Sequence, residues 1–163
     1  MNTIEFKPIG YIHSPFKGQK GTPIQPKRDK GTKGYIEILP EYKDALSDLD
    51  GFSHIILLYH LHLSKDYSLK VVPYLDNVQR GLFATRAPRR PNPIGLSVVR
   101  LDKIEGTTIH ISNFDILDGT PLLDIKPYVP HFDDPVDIKI GWLTGKSFKA
   151  KETDADGRFE DTD

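Results

Sequence analysis

Two short stretches concentrate the residues whose types and spacing could do chemistry. In Phe83-Ala-Thr-Arg86-Ala-Pro88-Arg89-Arg90-Pro91-Asn92-Pro93-Ile-Gly95, three prolines fix φ and remove amide donors. Arg86, Arg89, Arg90 and Asn92 are therefore displayed on a stiff loop between two strand-like segments. Guanidinium groups held in this way suit carboxylates and phosphates, which they grip with paired N–H bonds. The pattern alone leaves a second reading open, a proline-rich crossover with a structural role only. The other stretch, Asp115-Ile-Leu-Asp118-Gly-Thr-Pro-Leu-Leu-Asp124-Ile-Lys126-Pro-Tyr128, reads as a turn at Asp118-Gly119 followed by a strand. Asp124, Lys126 and Tyr128 fall on alternate positions of that strand and so on one face. A buried Asp124–Lys126 ion pair is the structural alternative.

Other chemistries find little support. The chain has no cysteine, which removes thiol nucleophiles, iron–sulfur clusters and thiolate zinc sites. No G-x-G occurs, so the dinucleotide fingerprint fails, and Gly145-Lys146-Ser147 has Ile140 where a P-loop needs its first glycine, so that motif fails as well. His54, His60 and His62 share a parity that could bind a metal. A strand of this kind more often buries hydrogen-bonded histidines, and with no third ligand segment no metal is expected. Ser14, Ser53 and Ser97 lack a nucleophile-elbow context, so a serine hydrolase is a poor fit. Asp154-Ala-Asp156-Gly157 lacks the ligand ladder of a calcium loop.

The elements that must position these residues are mostly strands. Ile4–Ile12 and Gly34–Leu39 alternate, with a loop rich in Gly, Pro and Lys between them. Pro40–Leu49 spaces Tyr42, Ala45, Leu46 and Leu49 as one short helix. The apolar run Phe52–Leu63 reads as a central strand buried on both faces. Further strands are expected at Gly81–Thr85, Ile94–Ile104, Thr107–Ser112, Leu122–Pro127 and Val136–Trp142, with hairpin chemistry at Glu105-Gly106. Thirteen prolines and thirteen glycines punctuate the segments without helix–strand alternation, which points to an all-β barrel or sandwich.

With 163 residues, one domain is expected, spanning 1–145, followed by a disordered acidic tail over 146–163. There is no membrane-length apolar run and no secretory signal, so a cytoplasmic protein with no membrane partner is expected. Glu152–Asp163 holds six acids against Arg158 alone, a local −5, so the remainder carries +4 of the chain's net −1. The positive charge gathers over Lys17–Lys33 and Asn77–Leu101. It suits either a solvated face or a phosphate-facing surface of a nucleic-acid binder.

Ile9-Gly-Tyr-Ile-His-Ser-Pro-Phe16, Gly51-Phe-Ser-His54, Phe83-Ala-Thr-Arg86, Arg90-Pro-Asn-Pro-Ile-Gly95, Asp118-Gly-Thr-Pro121 and Asp124-Ile-Lys-Pro-Tyr128 resemble, in order, the segments of the TsaA-like (TrmO-type) tRNA methyltransferases. The match runs from about Ile4 to Trp142, and the chain is identified as a member of that family. The resemblance implies a compact β-barrel that binds S-adenosylmethionine and works as a homodimer. It also implies transfer of a methyl group to the exocyclic amine of threonylcarbamoyl-adenosine beside the tRNA anticodon. Carried over by position, the cofactor site comprises Gln25, Pro26, Lys27, His62, Leu63, Arg86, Leu96 and the run Asn113-Phe114-Asp115-Ile116.

Within that frame Asn92, Asp118 and Lys126 are the expected catalytic residues. Asn92, or an adjacent carboxylate, would bond the target amine, Lys126 would neutralise the threonyl carboxylate, and Asp118 would fix the loop. Arg28, Lys30, Lys33, Arg89, Arg90 and Tyr128 would hold RNA or the threonyl group. Two rivals stay open: a methyltransferase with a small-molecule acceptor, and a non-catalytic RNA-binding barrel.

Overall fold

The computed structural model describes residues 2–22, 24 and 31–160. Eight strands run in chain order: β1 Gly10–His13, β2 Lys33–Ile38, β3 His54–His60, β4 Lys70–Val71, β5 Arg80–Gly81, β6 Ile94–Glu105, β7 Thr108–Ser112 and β8 Thr120–Pro127. Six of them close a barrel in the order β1-β2-β7-β6-β3-β8, every pair antiparallel, while β4 and β5 form a separate two-stranded ribbon.

Alternation explains the closure. Ile12, Ile36, Ile55, Leu57, Val99, Ile109, Ile111 and Leu122 are all fully buried and fill the interior, as a small barrel requires. β3, read from sequence as buried on both faces, has one inward face, Ile55-Leu57-Tyr59, and an outward face on which Ile56 and Leu58 are half-buried. Glycines allow close strand approach where a side chain would collide. A Cβ at Gly10 would meet the Glu37 carbonyl, and one at Gly95 would enter the Tyr59 ring. The β6–β7 hairpin turns at Gly106, whose φ of 64° suits glycine.

A bulge interrupts β8. Leu58 pairs with Asp124 and Tyr59 with Leu122, so Leu123 is extra. Parity reverses there, which turns Leu122 and Ile125 inward and leaves Asp124 and Lys126 outside.

Several sequence expectations change. Ile4–Ile9 is not a strand; Pro8 withholds a donor, and Ile4 and Phe6 are exposed. Pro40–Leu46 and Leu49–Gly51 are two 3₁₀ turns, interrupted by Asp48 at φ 66°, instead of one helix. Their Tyr42, Leu46 and Leu49 pack on the core. Leu82–Ala84 is also a 3₁₀ turn. Val136–Trp142 forms no strand, since a closed barrel offers no free edge to pair with, and Val136 and Ile138 stay exposed. A four-residue helix, α1 (Pro130–Asp133), follows β8.

The acidic tail, expected to be disordered, is described as far as residue 160 and returns to the body. Trp142 Nε1 donates to the Ala84 carbonyl at 2.7 Å, and Lys146 reaches Asp76 at 2.9 Å. Ser147–Lys151 makes a 3₁₀ turn, and Ala155 exchanges backbone bonds with Gly21 and Thr22. Phe159 is buried with Val71, Leu82 and Ala87 in a second small core. The buried Phe159 ring, with Ala155, supplies the apolar area that anchors the segment, while Phe148 stays exposed. Among the described residues no helix is long and apolar enough to cross a membrane.

Candidate active site

The ends of β1, β3 and β7 and the starts of β2, β6 and β8 lie at one mouth of the barrel. The segments leaving that mouth enclose a cleft of about 150 Å³, walled by Gln19 and Thr22 after β1, by Leu61 to Ser64 after β3, by Arg86 before β6, and by Asp115 to Leu117 between β7 and β8. Ala155 from the returning tail completes one side. A larger cleft of about 900 Å³ adjoins it on the barrel's flank, lined by Phe83, Val98, Arg100, Asn113, Tyr128 and Trp142 among others. Ile24, Tyr74 and Arg86 line both.

Hydroxyl groups organise the floor of the smaller cleft. Ser97 Oγ donates to Asp115 Oδ1 at 2.7 Å. With its proton committed there, Ser97 accepts from the Tyr59 hydroxyl at 3.0 Å, so the chain of donors runs Tyr59 to Ser97 to Asp115. Tyr59 and Ser97 are buried, and the Tyr59 ring lies against the bare backbone of Gly95. Removal from water pushes the Asp115 carboxyl up to about 6, against the opposing pull of the Ser97 bond, its own backbone N–H and the Arg86 charge. Burial, then the Asp115 charge, raise the Tyr59 hydroxyl so that it stays protonated. Burial and neighbouring His60 lower His62, which keeps that ring neutral. Thr120 gives its proton to the Leu117 carbonyl, so at its 3.4 Å contact with His62 Nδ1 the ring N–H is the donor.

Of the residues assigned to a cofactor, the structure brings His62, Leu63, Arg86, Asp115 and Ile116 to the smaller cleft and Asn113 to the larger. Phe114 points its ring into the barrel core, edge-on to Phe16, and leaves only its backbone for a ligand. Leu96 lies on the outer face of β6 opposite Leu58, outside both clefts. Gln25, Pro26, Lys27, Arg28 and Lys30 fall outside the described residues.

The expected catalytic trio is not gathered within the chain. Asn92 is exposed on the loop before β6 and lines neither cleft. Asp118 accepts from the Ser14 amide at 2.9 Å and from Lys17, bonds that hold its carboxyl below the usual range and tie the β7–β8 turn to the segment after β1. Lys126 is six residues along β8 from Thr120, ~20 Å at ~3.3 Å per residue. It pairs there with Asp124 at 2.8 Å, 60% exposed. Arg90 Nη1 bonds the Thr85 and Ala87 carbonyls and its guanidinium covers the Phe83 ring, so it holds the loop together. Arg89 is half-buried on that loop, Lys33 is exposed at the start of β2, and the Tyr128 hydroxyl bonds Asp134 in the wall of the larger cleft.

Sequence reasoning missed Gln19, Tyr59, Tyr74 and Ser97. A signal existed for two of them: Ser97 interrupts the inward series Gly95-Ser97-Val99-Leu101, and Tyr59 ends Ile55-Leu57-Tyr59.

The donor set suits an amino-acid-bearing nucleoside. Gln19 Oε1 and Asn113 Oδ1 are buried and meet no hydrogen-bond partner among the described residues. A buried acceptor left in this state costs about 1–3 kcal/mol, which a bound N–H or O–H would offset. The cleft walls thus offer acceptors and a carboxylate for ammonium, ribose or amine protons, and a guanidinium for a carboxylate.

Comparison with known proteins places this geometry in context. Residues 11–134 match the tRNA-methyltransferase O N-terminal domain. A probable S-adenosyl-L-methionine-binding protein of Pyrococcus abyssi is 53% identical over 154 residues, 94% of this chain and 84% of that protein. The human tRNA (adenine(37)-N6)-methyltransferase is 38% identical, but the chain spans only 32% of its length. The crystal structure of TrmO from Pseudomonas aeruginosa superposes with a TM-score of 0.73 at 40% identity, covering 86% of this chain and 63% of that one. The barrel, its mouth and the ordered motifs are therefore those of a tRNA-methyltransferase O N-terminal domain, and the chain belongs to that family.

Proposed function

We propose that this chain is an S-adenosylmethionine-dependent methyltransferase that modifies tRNA, acting on the exocyclic amine of threonylcarbamoyl-adenosine beside the anticodon. The observation that carries the reading is the meeting of two clefts at Arg86. The smaller offers the Arg86 guanidinium and the Gln19 acceptor for a methionine moiety and a ribose, with the Asp115 carboxylate beside them. The larger is walled by aromatic rings and by Arg100 and Lys151, which suits a base and its phosphates. S-adenosylmethionine, when bound, supplies an electrophilic methyl group. The protein's part is to hold the reacting groups in line at the junction and exclude water. Similarity to the S-adenosyl-L-methionine-binding protein of Pyrococcus abyssi supports the donor, and similarity to the human tRNA (adenine(37)-N6)-methyltransferase supports an adenine N6 acceptor in tRNA.

Calorimetry on Arg86→Ala tests the donor side. Loss of a charge-assisted fork is expected to weaken S-adenosylmethionine by about 10- to 100-fold, and unchanged affinity would remove Arg86 from the site. Mass analysis of nucleosides from tRNA of cells with and without the protein tests the acceptor. Intact cofactor binding with no altered tRNA nucleoside would move the acceptor to another class of molecule.

A further inference from the structure

We propose that Asp115 is the proton acceptor of the transfer reaction, and that Ser97 and Tyr59 are positioning residues that hold its carboxylate toward the cleft. This rests on the methyltransferase reading and adds to it the group that takes the proton. An acceptor N–H cannot be methylated at neutral pH without losing its proton, and a positioned base near that nitrogen lowers the barrier. Among the described residues lining either cleft, Asp115 is the sole carboxylate. It sits at the end of a one-way chain of donors buried in the barrel wall, Tyr59 Oη to Ser97 Oγ to Asp115 Oδ1, at 3.0 and 2.7 Å. That chain is braced by the fold: the Tyr59 ring occupies the space a side chain at position 95 would need, which points the hydroxyl at Ser97 on the neighbouring strand.

The charged and titratable groups around Asp115 are Arg86 before β6, Tyr59 on β3, His62 after β3 and Tyr74 across the cleft. Tyr59 and Tyr74, both raised by burial, remain protonated. Among the described residues that wall the smaller cleft with Asp115, neutral His62 is the rival base, while His54 lines only the larger cleft. In the step itself the acceptor nitrogen forms a bond to the methyl carbon as the carbon–sulfur bond breaks, and that bond's electron pair stays on sulfur. The nitrogen's proton passes to the Asp115 carboxylate, which becomes a carboxylic acid and later returns the proton to water. A carboxyl titrating near 6 is a stronger base than an ordinary one and still ionised at pH 7.

Single-turnover transfer, cofactor calorimetry and carboxyl NMR titration of the cofactor-free protein test this together. Asp115→Asn keeps the size and the Ser97 bond, and it is expected to slow transfer about 100- to 1,000-fold while changing cofactor affinity less than about threefold. Ser97→Ala removes the bond that favours the ionised form. It is expected to move the acidic limb of the rate profile, and the NMR titration of Asp115, about one pH unit upward, with the plateau rate down about tenfold and the acceptor KM unchanged. Tyr59→Phe keeps the ring and shifts both in the same direction by less. A loss of packing alone would lower the melting point without moving the limb. The proposal falls if Asp115→Asn transfers at the parental rate, if its loss is wholly a loss of cofactor affinity, or if the limb stays fixed in Ser97→Ala and moves in His62→Gln. A parent protein that methylates no tRNA while Asp115 still titrates near 6 would instead bring down the methyltransferase reading on which the proposal rests.

Discussion

The mouth of the barrel and the outer face of β3, β6 and β8 carry residues from the same strands, often adjacent in sequence, yet they differ in what they can do. At the mouth, Tyr59, Ser97 and Asp115 are held by short bonds away from water, and the carboxyl is displaced well above its ordinary range. One residue over, Leu58 and Leu96 pair across the outside, and Asp124 and Lys126 meet as an exposed ion pair. On the strands, parity sorts Tyr59 and Ser97 from Leu58 and Leu96, and the β8 bulge sets Asp124 and Lys126 outside. Chemistry concentrates where inward parity meets an open barrel end, because only there is a polar group both positioned and reachable.

The sharpest way to break this contrast is to fill the space under Tyr59. Gly95→Ala would drive a methyl group into that ring, backed by a packed wall that can yield little. Destabilisation of about 3 kcal/mol is expected, on the order of 5–10 °C in melting temperature. An alanine at outward Leu96, the next residue and 50% exposed, should cost a small fraction of that. Equal losses at the two positions would show that the mouth is no more constrained than the flank.

Much of the barrel can be read from sequence, and the reasons for the exceptions are physical. The alternation of β2, β6 and β7 and the Gly106 turn are local patterns that tertiary packing reinforces. The Leu123 bulge leaves no local trace, so alternation puts Asp124 and Lys126 on one face but cannot say which side of the barrel wall that face meets. Closure of the barrel cannot be seen from one segment, so Val136–Trp142 reads as a strand with no edge left to join. At the site, Arg86 and Asp115 stand out because charged residues in motif-dense loops are conspicuous. Ser97 and Tyr59 do not, since a serine and a tyrosine on inward strand positions look like ordinary core until their hydroxyl groups are seen to meet.

A second expected outcome uses the displaced carboxyl as a stability probe. Folding raises Asp115 from 3.8 to about 6, so between those values the folded chain holds more protons than the unfolded one. Its contribution to stability therefore falls as pH rises through that window, and the full penalty is present at pH 7. Asp115→Asn removes the penalty while keeping the Ser97 bond. It should stabilise the chain by about 1–3 kcal/mol at pH 7, since two pKa units correspond to roughly 3 kcal/mol at most, and the gain should vanish near pH 4. Denaturant melts at the two pH values check this. A variant no more stable than the parent at pH 7 would mean that the carboxylate is fully compensated in place. A gain here, beside the loss of transfer rate, would mark the mouth as a place where stability is given up for reactivity.

The smallest effect is expected on the outer face, at Lys126. Sequence alone allows two roles for it: a contact for the threonyl carboxylate, or a buried partner of Asp124 whose removal would cost about 3–5 kcal/mol. The structure puts the pair in solvent, with side chains 60% and 45% exposed and the nitrogen 2.8 Å from Asp124 Oδ2. Exposed pairs of this kind contribute about 0–1 kcal/mol, because water screens the attraction and two long side chains must be ordered to form it. Lys126→Ala should therefore shift stability by less than about 1 kcal/mol, with the difference fading further in high salt. The lysine also stands ~20 Å along β8 from the mouth, so single-turnover rates on threonylated and unmodified tRNA should keep the parental ratio. If the variant instead loses rate on the threonylated substrate alone, at unchanged stability, the outer face takes part in acceptor recognition. The acceptor would then have to reach across the barrel wall, or Lys126 would have to meet it from a second copy of the chain, and the division between a reactive mouth and an inert flank would hold for one chain but not for the assembly.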